Sequence, residues 1–158
     1  MRACPSICPV APSCMLDPDL PDAFARHLLT AVADHSFNAL TITRASGAEE
    51  PGEIVYVNDA FVDLTGYEAE EVMGETPGVL QGPKTEQEVL DRLGRKLGAG
   101  EVFHGRATNY RKDGSEFTME WKVIPVAESE MDVDGADSGE TLGASIYHVA
   151  VQREAPAA

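Results

Sequence analysis

Residues 101–126, EVFHGRATNYRKDGSEFTMEWKVIPV, contain two runs of alternating side chains on either side of Lys112, Asp113 and Gly114. Successive side chains of a β-strand point to opposite faces, so a period of two indicates a strand with one buried face. An Asp-Gly pair between two such runs is a strong signal for a hairpin turn. The stretch therefore predicts two antiparallel strands, 101–110 and 116–126.

The alternation also predicts which side chains face the interior. Odd positions of the second strand are apolar and even positions are mostly polar, which assigns the odd positions to the buried face. They carry Phe117, Met119, Trp121, Val123 and Pro125. One face of the first strand carries Gly105, Ala107 and Asn109. Interiors are packed at a density of ~0.75, so these small residues predict that either helical side chains or a ligand fills the room beside them.

A third strand is predicted at 144–152, after the acidic segment 127–143, whose like charges favour a solvated, mobile loop. His148, Ala150 and Gln152 share one face of this strand. A buried amide without a hydrogen bond costs ~1–3 kcal/mol, so Asn109 and Gln152 need partners. A planar ligand with a polar rim would supply them, and a close-packed helical core is the alternative. For His148 both a core histidine with a satisfied nitrogen and a functional role stay open.

The remaining segments complete an α+β domain. Residues 1–20 predict a flexible leader, and apolar residues at helical spacing predict a flanking helix over 21–36. A hairpin follows, with strands at 39–43 and 53–58 around the turn ASGAEEPG. Helices are predicted at 59–67, 70–73 and 85–97. The sequence thus predicts one antiparallel five-stranded sheet within 37–153 and a short tail, 154–158.

The bulk composition restricts the class of protein. A length of 158 residues with 43% hydrophobic content fits one soluble globular domain. The net charge of −15 would repel nucleic acid and anionic membranes, so neither is expected as a partner. We interpret the charge as a solvated acidic coat, as in the salt-rich cytoplasm of a halophile; a surface for a basic partner is the alternative. No apolar run is long enough for a membrane helix or a signal peptide, so a cytoplasmic location is expected.

The cysteines and carboxylates offer no catalytic or metal centre in the sequence. Cys4, Cys8 and Cys14 all lie in the leader, and three thiols are one ligand short of a usual structural zinc site. We interpret them as free thiols rather than as a metal or redox site. The carboxylates and histidines show no triad, carboxylate pair or metal-ligand spacing, so no metal and no enzymatic activity are expected.

Four segments together resemble the light-oxygen-voltage (LOV) class of PAS domains, which are flavin-binding blue-light sensors. They are EIVYVNDAFVDLTGYEAEEVMG at 53–74, GVLQGPKT at 78–85, RATNYRKDGSEF at 106–117 and HVAVQ at 148–152. A flanking helix followed by this core is similar to the short LOV proteins, which have no attached effector domain. The resemblance implies the PAS fold, with helices on one face of the sheet, a flavin cofactor and a homodimer.

The resemblance also implies the residues of a flavin pocket. Gln81 would lie near the ribityl chain and ring, Asn109 would bond the pyrimidine edge, and Gln152 would contact O4 and N5. An amide offers both a donor and an acceptor, which suits that edge. The other implied neighbours are Thr41, Thr43, Phe61, Leu64, Val123 and Met119, the last at the position of a second asparagine in the family.

Departures from the family pattern bear on the mechanism. Pro77 stands where the family has the cysteine that bonds to the flavin, and proline has no nucleophile. Gly78 and Gly94 stand where two arginines hold the FMN phosphate, so FMN should be weakened relative to riboflavin. The predicted helix 85–97, which contains Gly94, also carries Arg92, Arg95 and Lys96, and these cations could replace those arginines.

Two functions are compatible with this pattern. The first is a cysteine-less LOV-type flavoprotein that senses blue light or redox state by one-electron photoreduction of FMN, riboflavin or FAD, with Trp121, Tyr110 or Tyr147 as electron donor. The second is a PAS module that binds no flavin and acts as a dimerisation scaffold or holds another small molecule. The departures favour the second function, whereas three amides in one predicted pocket favour the first.

Overall fold

A computed structural model describes residues 22–45, 52–127 and 146–156. Its first element is helix α1 (Asp22–Asp34), where the flanking helix is predicted. From residue 33 onward the described residues form one compact unit. The predicted leader, most of the turn at 45–52 and nearly all of the acidic segment 127–143 lie outside the described residues. None of the described helices has the length and apolar character needed to cross a membrane.

The order of elements follows the sequence prediction: two strands, then helices, then three strands. They are β1 (Ala39–Ala45), β2 (Glu53–Val57), α2 (Asp59–Thr65), α3 (Ala69–Val72), a 3₁₀ helix (Pro77–Leu80), α4 (Gln87–Gly98), β3 (Phe103–Tyr110), β4 (Glu116–Ala127) and β5 (Ile146–Glu154). The strands form one sheet in the order β2-β1-β5-β4-β3, and every pairing is antiparallel. The predicted α+β class with a five-stranded antiparallel sheet is confirmed.

Strand β5 lies at the centre of the sheet although it is last in the chain. Gln152 is opposite Trp121 on β4, and Ala150 is opposite both Thr41 on β1 and Val123 on β4. Residues directly opposite each other in a ladder point to the same face. The inner face predicted from alternation is therefore confirmed, and its middle is formed by β1, β4 and β5.

The side chain of Asn58 connects the start of helix α2 to strand β1. Its side-chain oxygen accepts from Phe61 N (3.1 Å), as an N-cap residue does, and also from Leu40 N on β1 (2.8 Å). Its amide nitrogen donates to the carbonyl oxygens of Ala33 (2.8 Å) and Asn38 (3.1 Å). Both polar ends of this buried side chain are thus satisfied, which fixes α2 over the inner face of the sheet.

The segment between α3 and α4 contains a short 3₁₀ helix. Its first residue is Pro77, which suits a helix start because the missing N–H would have no partner there. Val79 N donates to Thr76 O (3.2 Å) and Gln81 N donates to Gly78 O (2.9 Å). This turn places Leu80 in the core, 3% exposed.

The space beside Gly105 is filled by Phe103 of its own strand and by Arg92 of helix α4. A Cβ at position 105 would lie 2.4 Å from Cζ of Phe103, so the phenyl ring lies directly over the glycine. The guanidinium carbon of Arg92 lies 5.5 Å from the centre of the same ring. Arg92 belongs to α4, and its Nη2 would lie 3.1 Å from the same Cβ, so a helical side chain also fills this space and no ligand is required at Gly105.

Glu120 is an exception to the predicted alternation, because it belongs to the outer face and yet is 8% exposed. Its carboxylate accepts from Arg153 Nε (2.9 Å), from Arg106 (3.2 Å) and from His104 Nε2 (3.1 Å). These side chains come from both neighbouring strands and cover the carboxylate. The Arg153 contact, followed by those of His104 and Arg106, lowers the pKa of Glu120 to about 2.

Candidate functional site

A cavity of about 300 Å³ lies between the inner face of the sheet and the helices that cover it. Its walls are mainly apolar, and its polar side chains are concentrated on β1 and β5. The sheet contributes Thr41, Thr43, Ile54, Met119, Trp121, Val123, His148, Ala150 and Gln152. The covering segments contribute Gly52, Phe61, Pro77, Gly78, Leu80, Gln81, Leu90, Leu93, Gly94 and Leu97. Small-molecule pockets of ~300–1,000 Å³ are lined in this way, by apolar surface with a few polar groups.

Gln152 provides a buried polar group in the middle of the sheet wall. It is 5% exposed, and its Nε2 donates to Thr41 Oγ1 over 2.7 Å. Its Oε1 has no hydrogen-bond partner among the described residues. A buried acceptor without a partner costs ~1–3 kcal/mol, so this oxygen favours a ligand that carries an N–H or O–H donor.

His148 provides a second polar group on the same strand. It is 6% exposed, and its Nδ1 lies 3.5 Å from Thr43 Oγ1. Its Nε2 has no partner among the described residues. Burial lowers the pKa of His148, because the charged imidazolium is less well solvated there than in water. The expectation of a core histidine with a satisfied nitrogen therefore holds at most for Nδ1.

Pro77, Gly78 and Gln81 contribute to the cavity from the covering segment that includes the 3₁₀ helix. Pro77 and Gln81 are also exposed to solvent, so they lie where the cavity opens. A proline at this position cannot form a covalent bond to a ligand. The chain's three cysteines, Cys4, Cys8 and Cys14, lie outside the described residues.

The described residues of the cavity wall include no lysine or arginine. A Cβ at Gly94 would meet no atom within 4 Å, so this face of α4 is open. Arg92 lies over the Phe103 ring, and Lys96 is paired with Glu101. Arg95 is exposed and does not line the cavity.

Two residues predicted for the pocket do not line the cavity. Asn109 is opposite Phe117, four residue pairs beyond the pair formed by Gly105 and Trp121. It is buried there, and its Nδ2 donates to Ala107 O (3.2 Å). Leu64 is half-buried and packs against the core instead. The other predicted residues, Gln81, Gln152, Thr41, Thr43, Met119, Phe61 and Val123, all line the cavity.

Several lining residues were not predicted as part of the site. Ile54 is opposite Thr43 because a bulge in β2 leaves Val55 unpaired and shifts the register, and Ile54 lines the cavity there. Leu90, Leu93 and Leu97 lie at helical spacing in the predicted helix 85–97, but spacing alone does not tell a core face from a pocket wall. Trp121 is predicted to face inward, on the same strand face as Met119 and Val123. The alternation was therefore a signal that could have assigned it to the site.

The comparisons with known proteins agree with one another. The PAS domain family matches residues 43–136. The bacterioopsin transcriptional activator of Halobacterium salinarum is 33% identical over 112 residues, which are 71% of this chain and 16% of that protein. Blue-light-activated histidine kinase 1 of Erythrobacter litoralis is 41% identical over 73 residues, which are 46% of this chain and 19% of that protein. This chain therefore spans less than a fifth of either curated relative.

A solved structure gives a fuller match. The LOV domain from a blue-light activated histidine kinase of Erythrobacter litoralis is 31% identical to this chain, with a TM-score of 0.57. The match covers 74% of this chain and 94% of that domain. The likeness thus extends over nearly the whole of that LOV domain.

Proposed function

Because this chain belongs to the LOV class of PAS domains, we propose that it is a flavin-binding sensory domain that responds to blue light or to redox state. In such a domain the flavin supplies both the absorption of blue light and the redox chemistry. The protein binds and orients the ring and excludes water from it. It also transmits the change in the flavin's state to another surface of the protein. The proposal is for a sensor, and no catalytic residue is assigned.

The unpartnered Oε1 of Gln152 carries the proposal. Gln152 lines a cavity whose walls are otherwise mainly apolar, and Trp121 and Val123 lie on the neighbouring strand. A flavin has a flat apolar body and a pyrimidine edge that offers both donors and acceptors. The residues present therefore fit this group: the aliphatic and aromatic walls would hold its faces, and the free Oε1 of Gln152 would accept from the N3–H of its polar edge. A contact of Gln152 with O4 and N5, as the resemblance implies, would need the amide to turn, because both atoms are acceptors in the oxidised ring.

The proposed response involves electron transfer rather than a covalent bond. Pro77 lines the cavity. The resemblance puts it at the position of the family's reactive cysteine, and a proline cannot act as a nucleophile. Of the three aromatic donors considered, Trp121 lines the cavity, whereas Tyr110 and Tyr147 do not. Trp121 is therefore the proposed source of the electron that a photoexcited flavin would take up.

The proposed cofactor is a flavin whose binding does not depend on a phosphate, with riboflavin preferred to FMN. Phosphate groups are held most strongly by arginine, and the described cavity wall has no arginine or lysine. Gly78 and Gly94 face the cavity instead. FAD is also compatible with the cavity, because its additional groups would extend into solvent through the opening beside Pro77 and Gln81.

An absorption spectrum of the purified full chain, recorded before and after blue light, tests the proposal. Bound flavin is expected to give structured blue absorption bands that bleach on illumination in the presence of an external reductant, without a thiol adduct. A protein that stays colourless after incubation with riboflavin, FMN and FAD would contradict it.

A second candidate function is supported by the polar residues missing from the cavity. Asn109 donates to a backbone carbonyl, and Met119 lines the cavity at the position where the resemblance puts a second asparagine of the family. The polar edge of a flavin would therefore have fewer partners than in the family. A PAS module that holds another small molecule, or that acts as a dimerisation scaffold, would match this. The same spectrum separates the two functions, and light scattering of the purified chain tests the proposed homodimer.

A further inference from the structure

His148 is a buried polar side chain that the proposed flavin contacts leave unused. It lies on β5 four positions before Gln152, so their Cα atoms are separated by ~13 Å along the strand. Ala150 lies between them on the same face, and all three residues line the cavity. The wall of β5 therefore presents two hydrogen-bonding groups with a small apolar residue between them.

The surroundings of His148 do not satisfy its ring. On the neighbouring strands it is opposite Thr43 of β1 and Pro125 of β4. Thr43 Oγ1 lies at the outer limit of hydrogen-bond distance from Nδ1, and the proline side chain has no donor or acceptor. Nε2 is buried without a partner among the described residues. In the folded protein this nitrogen is therefore an unsatisfied polar atom on a side chain that lines the cavity.

We infer that His148 is a second polar contact of the ligand, and that its Nε2 bonds a hydroxyl of the ribityl chain. The inference rests on the proposed flavin function. With the pyrimidine edge at Gln152, the other groups of riboflavin that hydrogen-bond well are the ribityl hydroxyls. A hydroxyl can donate or accept, so it suits either tautomer of a neutral imidazole.

This role predicts opposite effects on stability and binding. A buried polar atom without a partner lowers the stability of the ligand-free protein, and replacing it with an apolar side chain of similar size removes that cost. His148→Leu should therefore raise the melting temperature of the ligand-free protein by a few degrees while it weakens riboflavin binding. A histidine that only supports the core would give a lower melting temperature.

The test compares riboflavin with lumiflavin, which has the same ring system and no ribityl chain. The chain has one tryptophan, Trp121 in the cavity wall, so quenching of its emission reports binding of either compound to the full-length protein. His148→Leu is expected to weaken riboflavin binding about tenfold and to leave lumiflavin binding within twofold of the wild type. His148→Gln, which keeps a donor and an acceptor, should recover part of the riboflavin affinity.

The controls separate the possible failures. His104→Leu changes an exposed histidine on the outer face and should alter neither affinity. Unchanged riboflavin affinity in His148→Leu, or an equal loss for both compounds, would overturn the inference. A wild-type protein that binds neither compound would overturn the proposed function itself, and this is seen before any variant is compared.

Discussion

The amide nitrogen of Gln152 donates to Thr41 Oγ1 over 2.7 Å, and this bond fixes which end of the amide remains free. With Nε2 engaged, Oε1 is left as a buried acceptor on the cavity wall. Thr41 is itself buried on the neighbouring strand β1, so its hydroxyl cannot be replaced by water without a rearrangement. The orientation of the proposed flavin contact is thus set from β1.

Replacing Thr41 with valine tests that relationship. The change preserves shape but removes the acceptor, so Nε2 of Gln152 loses its partner and the amide is free to turn. We expect a loss of about 1–2 kcal/mol in the free energy of unfolding and about fivefold weaker riboflavin binding. Urea denaturation and Trp121 fluorescence titration measure the two effects. Thr118→Val, on the exposed outer face, is the control and should change neither.

Pro77→Cys tests whether the position retains the geometry for covalent chemistry. A thiol at the cavity opening would reach a bound flavin if the rest of the proposed pocket resembles that of the family. We expect the flavin bands of this variant to bleach in blue light and to recover slowly in the dark. Pro83→Cys places a thiol on an exposed residue outside the cavity and should not bleach in this way. Identical light responses in the two variants would argue against a flavin next to position 77.

Gly94→Arg tests the absence of a phosphate anchor. An arginine there would have room, and it would bring a cation to the wall of the cavity. FMN affinity relative to riboflavin is expected to rise about tenfold, which corresponds to ~1.4 kcal/mol. Gly98→Arg adds the same charge to the same helix away from the cavity and controls for net charge. A wild-type protein that already binds FMN ten times more tightly than riboflavin would contradict the proposed preference.

The sequence was sufficient for the fold because alternation and turn chemistry act locally. The faces of β3, β4 and β5 follow from parity. The turn follows from the Asp-Gly pair, because Gly114 adopts a left-handed backbone, with φ of +85°, that glycine tolerates readily. Parity also placed Gln152 on the inner face. Parity does not tell where along that face the covering helices leave a cavity. Asn109 is therefore predicted to line the pocket because it shares the inner face, although it does not line the cavity.

Other features depend on contacts between segments distant in sequence. Phe103 covers Gly105 because of the rotamer of its side chain, which no pattern of residue types predicts. Glu120 is buried because cations from β3 and β5 meet over it, so its burial could not be predicted before the order of the strands was known. The unpartnered nitrogen of His148 likewise became evident only from the positions of Thr43 and Pro125.

Glu120→Gln tests the contribution of the outer-face carboxylate to acid stability. The pKa of Glu120 is lowered from 4.5 in the unfolded chain to about 2 in the fold, first by Arg153. A depressed pKa contributes stability above the unfolded value, and that contribution is lost as the pH falls from about 4.5 to about 2. The variant should therefore unfold at lower urea than the wild type at pH 7, and the difference should shrink towards pH 2. A constant difference between pH 7 and pH 2 would mean that the ion pairs contribute nothing measurable.

Trp121→Phe tests the proposed electron donor. Phenylalanine keeps an aromatic side chain beside Phe103, whose ring centre lies 5.3 Å from that of Trp121, but it is much harder to oxidise than an indole. Photoreduction of the bound flavin should slow at least tenfold, and flavin emission should rise because a quenching route is removed. Both are measured under anaerobic blue light with riboflavin-loaded protein. Tyr147→Phe, which removes a phenol on the outer face, should leave both quantities unchanged. Equal photoreduction rates in wild type and Trp121→Phe would show that the electron comes from elsewhere.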